Sequence, residues 1–206
     1  MKKTVLVSCV VMALTAATGA KAAILFDFST ATGDLGTSHT YTVGPASTKL
    51  TAFGTPSADL FGKANGGDEN GVGMTNDPSG DDEIYYGKGF LQIDASTLAS
   101  VQLTFNSTTS GERWSIFGSN TSGVLGSLLT FGTTETTSIV LPKFNFYDVE
   151  STVAPGGDNG GNVLLKSMTA VSGVPEPATW AMMLVGFGGL GAALRRRRTT
   201  LALGAA

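Results

Sequence analysis

Through the middle of the 206-residue chain, apolar and polar residues trade places in bursts of four to six positions, too short for helices. Val101, Leu103 and Phe105 alternate with Gln102, Thr104 and Asn106, a period of two that turns one side of a strand toward a core and the other toward water. Trp114/Ile116 and Phe144/Phe146 repeat the pattern. The same reading predicts strands at Ile24 to Phe28, Thr40 to Val43, Leu50 to Phe53, Phe90 to Ile93, Val101 to Phe105, Trp114 to Phe117, Leu128 to Phe131, Ser138 to Leu141, Phe144 to Val149 and Val163 to Met168. Clusters of Gly, Pro, Asn, Asp and Ser separate them. No segment before residue 178 sustains a 3.6-residue period. Ten short strands with one wet face each must bury the other, which predicts an all-β fold, a single β-sandwich of jelly-roll-like topology.

Between Gly54 and Gly89 the strand pattern lapses, apart from a short paired segment expected around Val72 to Met74. A connection this long is either functional or unstructured. It holds Asp77, Asp81, Asp82 and Glu83, hard oxygen donors that could serve Ca²⁺, which takes six to eight oxygens. The spacing is not that of an EF-hand, and a solvated turn rich in Asp and Pro accounts for the same residues. Tyr85 and Tyr86 follow directly and could stack on sugar rings, whereas Trp114 belongs to the alternating, core-facing set.

Both ends of the chain have a different pattern. Lys2 and Lys3 precede an apolar run from Thr4 to Ala17, and Ala20-Lys21-Ala22 follows as an A-x-A site. Residues 1–22 therefore read as a secretory signal peptide for signal peptidase and the secretion machinery, with the mature chain starting at Ala23. At the other end, Pro175-Glu176-Pro177 precedes Ala178 to Leu194, seventeen residues without charge, and then Arg195, Arg196, Arg197 and Arg198. As a helix the apolar run would extend about 25 Å, the short end of a bilayer span. Trp180 stands where an interfacial aromatic is expected, and the arginines place the C-terminal side, including the tail 199–206, in the cytoplasm. Pro177 holds Glu176 out of helical conformation, so the tripeptide is extended and its carboxylate is presented.

The order Pro175-Glu176-Pro177, two residues, Trp180-Ala181, apolar helix and arginine cluster resembles the PEP-CTERM sorting signal of Gram-negative bacteria, in its Trp-Ala variant. The resemblance implies a membrane-embedded exosortase as partner, with Pro175, Glu176 and Pro177 as recognition residues, residues 178–194 as a transient anchor and Arg195 to Arg198 as stop-transfer charges. It also implies passage through the inner membrane, ectodomain periplasmic, to the cell surface or extracellular matrix. The chain departs from the family in the eight residues that follow the arginines. Gly71 to Asp94, Gly111 to Asn120, Gly132 to Glu135 and Asn162 to Leu165 are further similar to a recurrent ectodomain of PEP-CTERM proteins, which implies a β-sandwich and no particular activity. Where relatives often carry an acidic residue after the Asp-Glu-Ile turn, this chain has Lys88-Gly89.

Charge and composition narrow the function of the ectodomain, 23–173. It holds six basic residues (Lys49, Lys63, Lys88, Arg113, Lys143, Lys166) against fifteen acidic ones, a net charge of −9, which disfavours nucleic acid as a partner. The only cysteine, Cys9, lies in the expected signal peptide, which leaves no disulfide or thiol chemistry to the mature chain. One histidine, His39, and no G-x-S-x-G give little basis for a hydrolase. The expectation is a non-catalytic protein without a required cofactor, structural or adhesive and exopolysaccharide-associated. A carbohydrate-binding module, with or without calcium, is the alternative, and an extracellular hydrolase is a third.

Overall fold

The computed structural model describes residues 23–108, 112–135, 140–152, 161–172 and 183–191. Strands among them, in chain order, are β1 (Ala23–Asp27), β2 (Gly33–Gly36), β3 (Ser38–Val43), β4 (Ala46–Gly54), β5 (Leu60–Ala64), β6 (Asn70–Met74), β7 (Ile84–Tyr85), β8 (Gly89–Asp94), β9 (Leu98–Asn106), β10 (Arg113–Ser119), β11 (Ser127–Gly132), β12 (Phe146–Thr152) and β13 (Asn162–Ser172). They form two antiparallel sheets. One, a curled half-barrel, runs β1-β13-β6-β5-β2, with β7 and β9 also paired to β13; the other runs β11-β10-β12-β8-β4-β3. All of these strands lie in a unit spanning Lys21–Glu176, and residues 183–191, a helix, lie in a second unit.

Alternation explains which side chains meet between the sheets. Leu50, Ala52, Leu91, Ile93, Trp114, Ile116, Tyr147 and Val149 from one sheet share a single buried cluster with Phe26, Leu60, Val72, Met74, Leu103, Phe105, Leu165 and Met168 from the other. Trp114 of β10 stacks on Phe105 of β9, ring centroids 4.8 Å apart and 14° from parallel, an offset arrangement that adds to the burial of both rings. Its indole Nε1 donates to the Thr134 carbonyl at 2.6 Å, so the one polar atom of the buried ring is satisfied. Phe28, just beyond β1, meets Tyr41 of β3 edge-on at 4.7 Å.

The phase of β12 departs from expectation. The sequence turns Phe144 and Phe146 inward; Phe144, just before the strand, does pack half-buried against the core, but within the strand Tyr147 and Val149 are buried and Phe146 is half-buried on the opposite face. A one-residue shift exchanges the faces of a strand, and two larger competing pairs, Phe144/Phe146 and Tyr147/Val149, leave its phase open in the sequence. Of the strand expected at Ser138 to Leu141, residues 138 and 139 lie outside the described residues; Leu141 is buried and makes a single bridge to Val101.

The supposed long connection from Gly54 to Gly89 contains β5, β6 and β7. β6 takes up the short paired segment expected around Val72 to Met74, and three glycines of β5 and β6 sit where another backbone passes close. A Cβ at Gly62 would overlap Ala31, one at Gly71 would press on Leu165, and one at Gly73 would overlap the Asp82 carbonyl and crowd Glu83 Cα. Glycine in a strand commonly marks such an approach. Replacement of Gly73 by alanine is expected to destabilise the domain by roughly 2–3 kcal/mol, the upper part of the overpacking range, because rigid backbone must give way. Urea unfolding of the Gly73→Ala variant checks this; an unchanged midpoint would contradict the close approach.

Candidate functional site

Two polar arrangements and one linear signal are available to carry function. The first is the acidic segment. Asp77 is buried, and its Oδ1 accepts from the Ser79 N–H (2.8 Å) and hydroxyl (2.6 Å) while its Oδ2 accepts from the Glu83 N–H at 3.2 Å. Local acceptance of this kind is what fixes an Asp-led turn. Glu83, 1% exposed, meets Lys63 of β5: Nζ lies 2.6 Å from Glu83 Oε1 and 2.5 Å from Oε2 of the half-exposed Glu69. Burial pushes the Glu83 carboxyl up to about 7, with Lys63 opposing. Burial alone would lower the Lys63 ammonium, but its two carboxylates hold it above its ordinary value. Asp82, at φ 57°, is raised by burial and then by Asp77.

Of the four residues considered for calcium, Asp77, Asp81, Asp82 and Glu83, two are engaged by contacts within the fold. Asp77 is taken up by the turn it organises and Glu83 by a lysine, and Asp81 is exposed. No three Asp, Glu, His or Cys side chains among the described residues gather into a set able to hold a metal. Tyr85 is half-buried in β7, where it pairs with Asn162, and Tyr86 is 47% exposed with its N–H donated to the Gly161 carbonyl. His39 is half-buried and packs edge-on against Tyr41 at 4.8 Å.

The second arrangement covers the outer face of the six-stranded sheet. Gln92 of β8 donates through Nε2 to Asp148 Oδ1 of β12 at 2.8 Å, and its Oε1 accepts from Gly123 N–H (2.9 Å) and the Ser122 hydroxyl (3.2 Å). Gly126 N–H donates to Asp148 Oδ2 at 2.9 Å. The β10–β11 connection is thereby clamped over the sheet, and burial raises the Asp148 carboxyl. Beside the clamp are two depressions. A narrow one is lined by Lys49, Thr51, Gln92, Asp94, Ser122 and Phe146. A wider, open cleft of about 430 Å³ is lined by Phe53, Thr55, Lys88, Phe90 and three glycines. Phe53 and Phe90 are opposed in register and stack at 5.2 Å. A half-exposed aromatic pair beside an ammonium can take the apolar face and a polar substituent of a sugar ring. These phenylalanines went unnoticed as site residues because only the β4–β8 register brings them together. The signal that could have found them was their position at the facing ends of two predicted strands.

The third is the C-terminal signal. Within it, residues 183–191 are helical and expose Leu184, Val185, Phe187 and Leu190. Nine residues extend about 13.5 Å, and no helix among the described residues is long and apolar enough to cross a membrane. The rest of the expected span 178–194 lies outside the described residues, as do Pro175, Glu176, Pro177, Trp180, Ala181 and Arg195 to Arg198.

A two-sheet antiparallel domain followed by an apolar, arginine-ended tail defines a β domain that carries a C-terminal sorting signal. The tail identifies it further: residues 173–198 match the PEP-CTERM protein-sorting motif, so the chain carries that motif and is an exosortase target. Proteins with this motif are membrane-sorted and reach the cell surface. No curated protein and no solved structure matches the chain.

Asp148 and Glu150 of β12 are both raised by burial from ordinary values of 3.8 and 4.5. The folded protein therefore holds these protons more tightly than the unfolded chain, and their contribution to stability is greatest at low pH and falls as pH rises above about 4. Thermal unfolding across pH 4–8 should show this slope, shallower in Asp148→Asn. That variant should also lose about 1–3 kcal/mol, since its amide N–H₂ would face Gln92 Nε2 or Gly126 N–H. An unaltered slope in the variant would contradict the assignment.

Proposed function

We propose that this protein is exported, held briefly in the inner membrane by its C-terminal tail with the β domain on the periplasmic side, and processed by exosortase. It then acts at the surface or in the extracellular matrix as a non-catalytic structural or adhesive domain. The observation that carries this reading is the junction between fold and signal: β13 ends at Ser172 and the sorting motif begins at residue 173. The β domain is thus complete just before the segment that exosortase recognises, and removal of the tail leaves every strand in place. Signal peptidase at Ala22 would likewise cut at the edge of β1, which starts at Ala23 and pairs with Val171.

Two sheets sharing one core support the finer reading of a jelly-roll-like sandwich. Extracellular conditions favour such a domain when its surface is polar and strongly charged, and the ectodomain's charge of −9 suits a matrix of hydrated polymer. The alternative of a carbohydrate-binding module draws on the Phe53/Phe90/Lys88 cleft; in its calcium-dependent form the ion would compete with the Asp77 turn and Lys63 for Asp77 and Glu83. The half-buried environment of His39 against Tyr41 supports the non-catalytic reading.

Mass and localisation of the protein in its native host test the proposal. Wild type should be recovered outside the inner membrane without Arg195 to Arg198, whereas Glu176→Ala should keep the full tail and remain in the inner membrane. Retention of the arginines in the wild-type surface protein, with Glu176→Ala indistinguishable from it, would leave a plain anchor and contradict exosortase processing.

A further inference from the structure

Lys63 and Glu83, with Glu69 at their edge, form a buried ion pair, and nothing in the sorting function uses it. Lys63 is 8% exposed and Glu83 1%. The ammonium is shared between Glu83 Oε1 at 2.6 Å and Glu69 Oε2 at 2.5 Å, with the Glu69 side chain 45% exposed. Glu83 Oε2 is buried without a hydrogen-bond partner among the described residues. The Ser107 hydroxyl lies beside this carboxylate without reaching it in good hydrogen-bond geometry. Ser107 itself is held at φ 55°, a conformation that non-glycine residues rarely adopt. A buried ion pair costs several kcal/mol per ion to desolvate, and an orphaned carboxylate oxygen adds to that cost. The pair is nonetheless held amine against acid in one geometry by β5, β6 and the Asp77 turn.

We propose that Lys63 and Glu83 condense into an intramolecular amide, a covalent staple between β5 and the acidic turn. The ammonium first passes a proton along its 2.6 Å hydrogen bond to Glu83, giving an amine and a carboxylic acid. The Lys63 Nζ lone pair then attacks Glu83 Cδ. Glu69 takes a proton from the attacking nitrogen and returns it to a hydroxyl on Cδ, which leaves as water. One N–C bond forms, one C–O bond breaks, no oxidant is required, and Glu69 ends as it began. Fixing both reactants within hydrogen-bond reach supplies the effective concentration that such a condensation needs. The product removes two buried charges from a dry site. Glu69, being half-exposed, gives the released water a path to solvent.

The staple would close a loop between residues separated by 20 positions, enclosing β6 and the Asp77 turn. A cross-link here suits this chain in particular, since its only cysteine lies in the expected signal peptide, and extracellular domains commonly depend on covalent closure.

Tryptic mapping of the secreted protein, denatured before digestion, tests the proposal. An acylated Lys63 blocks trypsin, so the wild type should yield Leu50 to Lys88 as one peptide, lighter than its sequence by one water, with fragmentation placing the link between Lys63 and Glu83. Lys63→Arg should restore cleavage and full mass at that position, and Glu69→Gln should leave most of the protein unlinked. Wild-type protein that is cut after Lys63 and gives two linear peptides of full mass would overturn the staple, and this outcome does not depend on how either variant folds.

Discussion

Most of the larger sheet is referred to one strand. β13 pairs with β9 along one edge over Leu164 to Ser172, and along its other edge with β1, β6 and β7 in turn. It is also the last strand before the sorting motif. The strand that closes the domain is therefore synthesised last, and β1, β6, β7 and β9 cannot complete their hydrogen bonding until it arrives. Backbone polar groups buried without partners are costly, so the half-barrel is an unfinished object without β13. Leu164, Leu165, Met168 and Ala170 are all buried on it, which ties the same strand to the shared core.

The sheets then differ in how they protect their outer faces. On the half-barrel, the Asp77 turn lies across β6, and the missing side chain of Gly73 gives it room, with Lys63 fixing Glu83 beneath it. On the six-stranded sheet, Gln92 and Asp148 hold the β10–β11 connection down. In both cases a buried carboxylate, Glu83 or Asp148, ties a crossing segment to a strand, and in both burial raises its pKa. A fully satisfied polar network of this kind specifies one arrangement more sharply than apolar contact would. Glu83, with one oxygen unpartnered, is the member that is not fully satisfied.

What was legible in the sequence was local. Val101, Leu103 and Phe105 declared their face by strict alternation, Trp114 and Ile116 did the same, and the tail could be read because a proline-bracketed carboxylate, an apolar run and four arginines are contiguous. Partnerships at a distance were not legible. Nothing in the order of residues says that Glu83 is opposed by Lys63, or that Phe53 faces Phe90, because register belongs to the pairing of strands. β5 was not legible for a related reason: a glycine such as Gly62 can serve a turn or a close backbone approach, and only its neighbour, here Ala31, distinguishes the two.

The central claim is that β13 is a structural keystone that ends where the address begins, so that the β domain is complete without its tail. Amide hydrogen exchange of the mature, tail-free protein tests this most directly. The account predicts that the amides of Leu164 to Ala170 exchange among the slowest in the chain, with a free energy equal to that of global unfolding. Rapid exchange there, at rates typical of a frayed terminus while β8, β10 and β12 stay protected, would contradict it.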